Sequence, residues 1–128
     1  LLISADIDEG FIRISPSELD WIQRESGTSY AILAGDSQSE GLYIQRNKFP
    51  PGAFSRPHHH DQDRFVTVIS GTWYTGIGND FNPDNTIPLG PGSYMKHPAG
   101  GVHFDGAKEG EVIVEIRGMG PVHTTFVE

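Results

Sequence analysis

The sequence predicts an all-β fold, a sandwich or barrel of short strands, on three observations. Sixteen glycines and nine prolines break the 128 residues into short pieces. Turn signals recur at Pro50-Pro51-Gly52, Ser70-Gly71, Gly76-Ile77-Gly78-Asn79-Asp80, Gly90-Pro91-Gly92, Pro98-Ala99-Gly100-Gly101 and Gly118-Met119-Gly120-Pro121. Between them lie β-rich runs at residues 65–70, 72–74, 93–97, 111–117 and 122–127. In the run 111–117, Val112, Val114 and Ile116 face one way while Glu111, Glu115 and Arg117 face the other, which is the alternation of a strand with one buried face. Many short strands at regular spacing build a sandwich or barrel.

One short helix is expected near residues 16–24. Ser15-Pro16-Ser17-Glu18 places Ser at the N-cap, Pro at the first helical position and Glu at the third, a capping box with proline where proline is tolerated. Leu19 and Ile22 then pack inward. The segment 79–85 is a polar loop whose acidic groups lack the spacing of a calcium loop. No repeat and no second domain is legible, so residues 1–128 are read as one domain, long enough to bury a core.

Composition narrows the function. Nine basic residues stand against seventeen acidic ones, a net charge of −8, and no basic cluster offsets it. A nucleic-acid backbone is therefore not an expected partner. No long apolar run suggests a membrane span. The absence of cysteine removes disulfides, thiolate metal sites and thiol nucleophiles. The chain begins at Leu1 rather than Met, so it is read as trimmed, and cytoplasmic and exported locations both stay open. No Ser-His-Asp arrangement can be argued from spacing.

The histidines carry the chemistry. His58 and His60 are two apart, and side chains alternate along a strand, so both point to one face. His59 points to the other. With His103 from a second strand they begin a metal site.

Around these histidines the chain resembles the cupin superfamily of small β-barrels. The first cupin motif is G-x5-H-x-H-x(3–4)-E-x6-G, and Gly52, His58, His60 and Gly71 fit it at every position but one, where Arg64 stands for Glu. The second is G-x5-P-x-G-x2-H-x3-N; Gly92, Pro98, Gly100 and His103 fit it, and Ala107 replaces the final Asn. Motif 1 thus spans residues 52–71 and motif 2 residues 92–107, with 20 residues between. Residues 64–74 also look like a cupin-2-like group of bacterial proteins of mostly unassigned function. The resemblance implies a double-stranded β-helix, or jelly-roll barrel, with one short N-terminal helix and one ligand pocket. It also implies His58, His60 and His103 as ligands of a divalent ion (Zn, Fe, Mn or Ni), a small-molecule ligand, and a homodimer in which residues 1–14 could supply an exchanged strand.

Arg64 is the departure. A guanidinium is always cationic and cannot ligate a metal. The site is then three histidines plus water, or Gln62 supplies its amide oxygen in phase with His58 and His60, or no metal binds and Arg64 holds a substrate carboxylate. Asp105, in phase with His103, is a further candidate carboxylate, whereas Asp61 and Asp63 have the wrong phase unless a bulge intervenes. His97, Trp73 and Tyr94 are candidates to line the substrate pocket. Two functions follow: a metal-dependent enzyme of dioxygenase, isomerase or lyase type, or a non-catalytic binding module in which Arg64 clamps an anion. A purely structural dimer is a third reading.

Overall fold

A computed structural model describes residues 6–127. Thirteen strands follow one another: β1 (Asp6–Asp8), β2 (Phe11–Arg13), β3 (Ile22–Gln23), β4 (Ser29–Ala34), β5 (Gly41–Phe49), β6 (His58–His60), β7 (Arg64–Ser70), β8 (Trp73–Ile77), β9 (Ile87–Leu89), β10 (Tyr94–His97), β11 (His103–Gly106), β12 (Val112–Gly120) and β13 (Thr124–Phe126). A six-stranded sheet runs β10-β7-β12-β5-β4-β3, a five-stranded sheet runs β13-β6-β11-β8-β9, and every pairing is antiparallel. The chain repeatedly crosses between the two sheets, so the sandwich or barrel that the turn spacing predicts is the all-β jelly roll that the cupin resemblance implies.

The long strand β12 is the centre of the larger sheet. It pairs with β5 along its whole length, Val112 opposite Phe49 through Gly120 opposite Gly41, and with β7 on its other edge. The alternation predicted for residues 111–117 is present: Val112, Val114 and Ile116 are buried in the core with Tyr43, Phe49, Val66, Val68 and Trp73. On the outer face Glu115 accepts from Arg46 at 3.1 Å and from Arg117 at 3.3 Å. The loop 79–85 is polar in sequence, yet Phe81 packs edge-on against Phe54 and Phe104 and so anchors it over the smaller sheet.

The helix expected over 16–24 is a single 3-10 turn, Pro16–Glu18. Its capping contact forms: the Ser15 backbone N–H donates to the Glu18 carboxylate at 2.8 Å. The turn ends because Leu19 is extended (ψ 134°), and Ile22 and Gln23 then pair with Tyr30 and Ser29. A short isolated helix is marginal, so strand pairing prevails over the capping signal. Of the segment 1–14, residues 1–5 lie outside the described residues. β1 and β2 pair with each other and with neither large sheet, leaving Phe11 and Ile12 exposed.

At Gly106 the backbone of β11 packs closely against residues 53–54, bridging Phe54. A Cβ there would lie 2.2 Å from the Ala53 carbonyl oxygen, which already accepts from the Ala107 N–H at 2.8 Å. Gly106→Ala should therefore destabilise the fold by about 1–3 kcal/mol in urea denaturation. Gly110→Ala, with nothing within 4 Å of its Cβ, should stay within about 0.5 kcal/mol of the parent.

Candidate functional site

A cavity of about 780 Å3 lies between the sheets, and His58, His60, His97 and His103 line it together with Arg64, Trp73 and Asp105. The strand β6 supplies His58 and His60 on its inner face, while His59 has the opposite phase and is only half-buried. β11 supplies His103 and Asp105, and His97 ends β10. His58 and His103 are directly paired across β6 and β11. The ligand nitrogens of His58, His60 and His103 lie within 4.8 Å of one another, as do those of His97 and His103 and the Asp105 oxygen.

Hydrogen bonds fix the tautomers. His58 Nδ1–H donates to the Arg56 carbonyl at 2.6 Å, and His103 Nδ1–H donates to the Gly101 carbonyl at 2.9 Å. Both rings therefore keep the Nε2 lone pair free, the arrangement that orients histidine towards a metal. His60 differs. Its Nε2 accepts from Arg64 Nη1 at 2.7 Å, so its proton sits on Nδ1 and is donated to Thr124 Oγ1 at 2.9 Å. The donor set fits a divalent ion at His58 and His103 directly, and at His60 once Arg64 leaves its Nε2.

Three of the cluster's histidines, His60, His97 and His103, are held neutral. His60 and His97 are pushed down to about 2, by burial first and then, for His60, by the Arg64 charge, and for His97 by His103 and Arg64. His103 is lowered to about 4, again by burial, then by His58. His97 stacks on His103 with ring centres 3.6 Å apart. Burial raises the Asp105 carboxyl, while His58, the Trp73 indole and Arg64 act the other way. The Trp73 N–H is near enough to Asp105 to act on it electrostatically but lacks hydrogen-bond geometry to any acceptor.

The sequence candidates divide accordingly. His58, His60, His103, Arg64, His97 and Trp73 come together in the cavity, and Asp105 joins them as its one acidic lining residue. Gln62 does not. The turn after β6 leaves it exposed, where it lines a separate shallow depression with Asp63, Phe65, Ala99 and Met119. Its period-two phase fails because the strand ends at His60. Tyr94 is also outside, 56% exposed on β10. Asp61 and Asp63 cap backbone N–H groups of His123 and Ala99. The sequence reading missed Tyr43, Gln45 and Asn47, which project from β5 into the cavity, and Arg24 at its rim. The alternation of polar Gln45 and Asn47 along β5 was the available signal, but it also describes a solvent face.

No protein-family model matches the chain, and no curated sequence does. Solved structures do. The polyketide cyclase RemF from Streptomyces resistomycificus superposes with a TM-score of 0.69 at 20% identity, covering 91% of this chain and 86% of that one. A sugar phosphate isomerase of the cupin superfamily from Silicibacter pomeroyi gives 0.69 at 19% identity over 91% and 82%. The chain has the cupin fold. A structure of the DMSP lyases RdDddP and RnDddQII gives 0.69 at 17% identity over 87% of this chain and 63% of that one. Among the described residues, no helix is long and apolar enough to cross a membrane.

The depressed histidines make stability depend on pH. In the unfolded chain they titrate near 6.5. Between that pH and their folded values the unfolded state binds more protons, so their contribution is complete above about pH 6.5 and is lost as the pH falls. For chelator-treated protein, the urea midpoint should decline steadily from pH 6.5 to 4. His97→Phe should make that slope shallower by about one proton.

Proposed function

We propose that this cupin is a small-molecule enzyme that holds a divalent ion on His58, His60 and His103 and acts on an anionic substrate. The observation that carries the reading is the pair of backbone-anchored imidazoles: the Nδ1–H groups of His58 and His103 are spent on carbonyls, and both Nε2 lone pairs are left to the cavity. A bound ion would supply Lewis acidity, polarising a substrate oxygen. The protein's own residues do the rest. Arg64 is the cation poised to take the substrate's acidic group. Asp105 and His97, within 4.8 Å of His103, are the groups placed to accept or return a proton. Val66, Val114 and Ile116 exclude water from the inner wall.

Charge favours an anion. A divalent ion and Arg64 would bring +3 to a lining whose one acid among the described residues is Asp105. The reaction classes named for the structural neighbours, cyclase, lyase and isomerase, are compatible with a small-molecule cavity of this size.

The 2.7 Å contact of Arg64 with His60 Nε2 favours a second reading, a metal-free binding module in which Arg64 clamps an anion. Elemental analysis of untagged protein separates the two. The enzyme reading expects close to one divalent ion per chain, lost in His103→Ala and released on acidification as the ligands protonate. Arg64→Glu should tighten the ion by about ten-fold or more, because a carboxylate replaces a cation beside His60. Metal-free native protein whose melting ignores added divalent ions would sink the enzyme reading.

A further inference from the structure

The substrate class can be narrowed, on the reading that this cavity is the substrate site. Of the chain's six arginines, Arg24, Arg56 and Arg64 line the cavity, against the single acid Asp105, in a protein of net charge −8. Arg46 and Arg117 share the Glu115 carboxylate outside it. Among the described residues no carboxylate forms an ion pair with Arg24 or Arg64. A partly buried guanidinium without a carboxylate is costly unless something else compensates it.

The two arginines stand at opposite ends of one polar stripe. β5 turns Tyr43, Gln45 and Asn47 into the cavity, a run of about 13 Å at strand rise. At one end Tyr43 and Arg64 both pair with Gly118, one on each side of β12. Gly118 leaves room there, since a Cβ would lie 3.0 Å from Tyr43 Oη. At the other end Asn47 pairs with Tyr30, and Arg24 stacks over the Tyr30 ring at 4.4 Å. Arg24 Nη1 also reaches Thr28 Oγ1 at 3.4 Å. The β3–β4 turn that carries Arg24 is closed by its own backbone, Arg24 N–H to Thr28 O at 2.8 Å.

A second observation points the same way. Among the described residues, four buried polar side-chain atoms lack a hydrogen-bond partner: Tyr43 Oη, Arg64 Nε, Trp73 Nε1 and His97 Nε2. All four residues line this cavity. Arg64 Nε and Trp73 Nε1 can only donate, and Tyr43 Oη can donate. Buried polar groups are seldom left unpaired, and a cluster of unpaired donors in one cavity calls for a ligand rich in acceptor oxygens.

We propose that the cavity takes an extended dianion, a dicarboxylate or a phosphorylated acid, with one acidic group on Arg64 and Tyr43 at the floor and the other on Arg24 and Thr28 at the rim. Gln45 and Asn47 lie between and face the linking chain. Asn47 is already oriented, accepting from Gln45 Nε2 at 2.9 Å. Arg24 is then a specificity residue that selects two acidic groups over one.

Calorimetric titration of the purified protein with succinate, adipate and suberate, each against its monoacid butyrate, hexanoate or octanoate, tests this. At least one diacid should bind about ten-fold or more tightly than its monoacid, the gain of a second charge-assisted arginine contact. Arg24→Gln should remove that advantage while leaving the monoacid within about two-fold, and Arg24→Lys should restore part of it. Equal affinity of every matched pair overturns the proposal without any variant. So does an Arg24→Gln protein that folds normally yet weakens monoacid and diacid alike. The same samples, with and without a chelator, are analysed for metal. A diacid preference in metal-free protein sustains the dianion while the metal reading fails, and metal-loaded protein with no preference does the reverse.

Discussion

β12 hydrogen-bonds to β5 on one edge and to β7 on the other, and the cavity follows from that double pairing. The register places Val112, Val114 and Ile116 on the inner face, where Val114 and Ile116 line the cavity's apolar wall. It also sets Gly118 between Tyr43 and Arg64. A side chain at Gly118 would meet the tyrosine, so the bare backbone there lets a phenol and a guanidinium share the inner face. One strand thus provides both the dry side of the cavity and the gap in which its charged floor is built. The core and the site are not separable layers, because successive inward-facing residues of the same strands, Phe49 and Asn47 on β5 or Val66 and Arg64 on β7, serve each.

Electrostatics inverts between surface and interior. The chain as a whole is acidic, yet its cavity gathers three arginines and one carboxylate. Low-dielectric walls strengthen fields within such a cleft relative to those at the surface. The histidines add no charge, since burial keeps His60, His97 and His103 neutral well below their ordinary range. Arg64 both lowers His60 and occupies its Nε2. Replacing the usual carboxylate by arginine therefore removes a negative ligand and also installs a competitor for one nitrogen. Asp105, raised by burial, is the nearest thing in the cavity to the missing acid, and it arrives from the second motif rather than the first.

The fold was legible because glycine and proline mark turns locally and because the run 111–117 shows one buried face in its alternation. The shared face of His58 and His60 was legible from spacing, since strand phase fixes direction, while His103 joined them through the resemblance to the second cupin motif. Gln62 had the right phase but not the strand: Asp61 and Gln62 turn away after His60, and period-two counting stops being valid at a turn. The helix over 16–24 failed for a related reason. Its cap is real, but the residues that would have propagated it found strand partners in β4. Gln45 and Asn47 were hidden by the opposite ambiguity. An inward polar face and an outward one read alike until something covers them, and only the second sheet reveals which it is.

His58 and His103 share a small device. Each ring gives its Nδ1 proton to the carbonyl two residues earlier in its own segment, Arg56 for one and Gly101 for the other. Their aim is thus set by a few adjacent residues and not by the far wall. Such local bracing makes the histidine pair a portable unit: the opposite strands can change size, polarity and charge over evolutionary time without turning either ring. Arg64 illustrates that freedom, a reversal of charge within one turn of the pair that leaves both anchors intact.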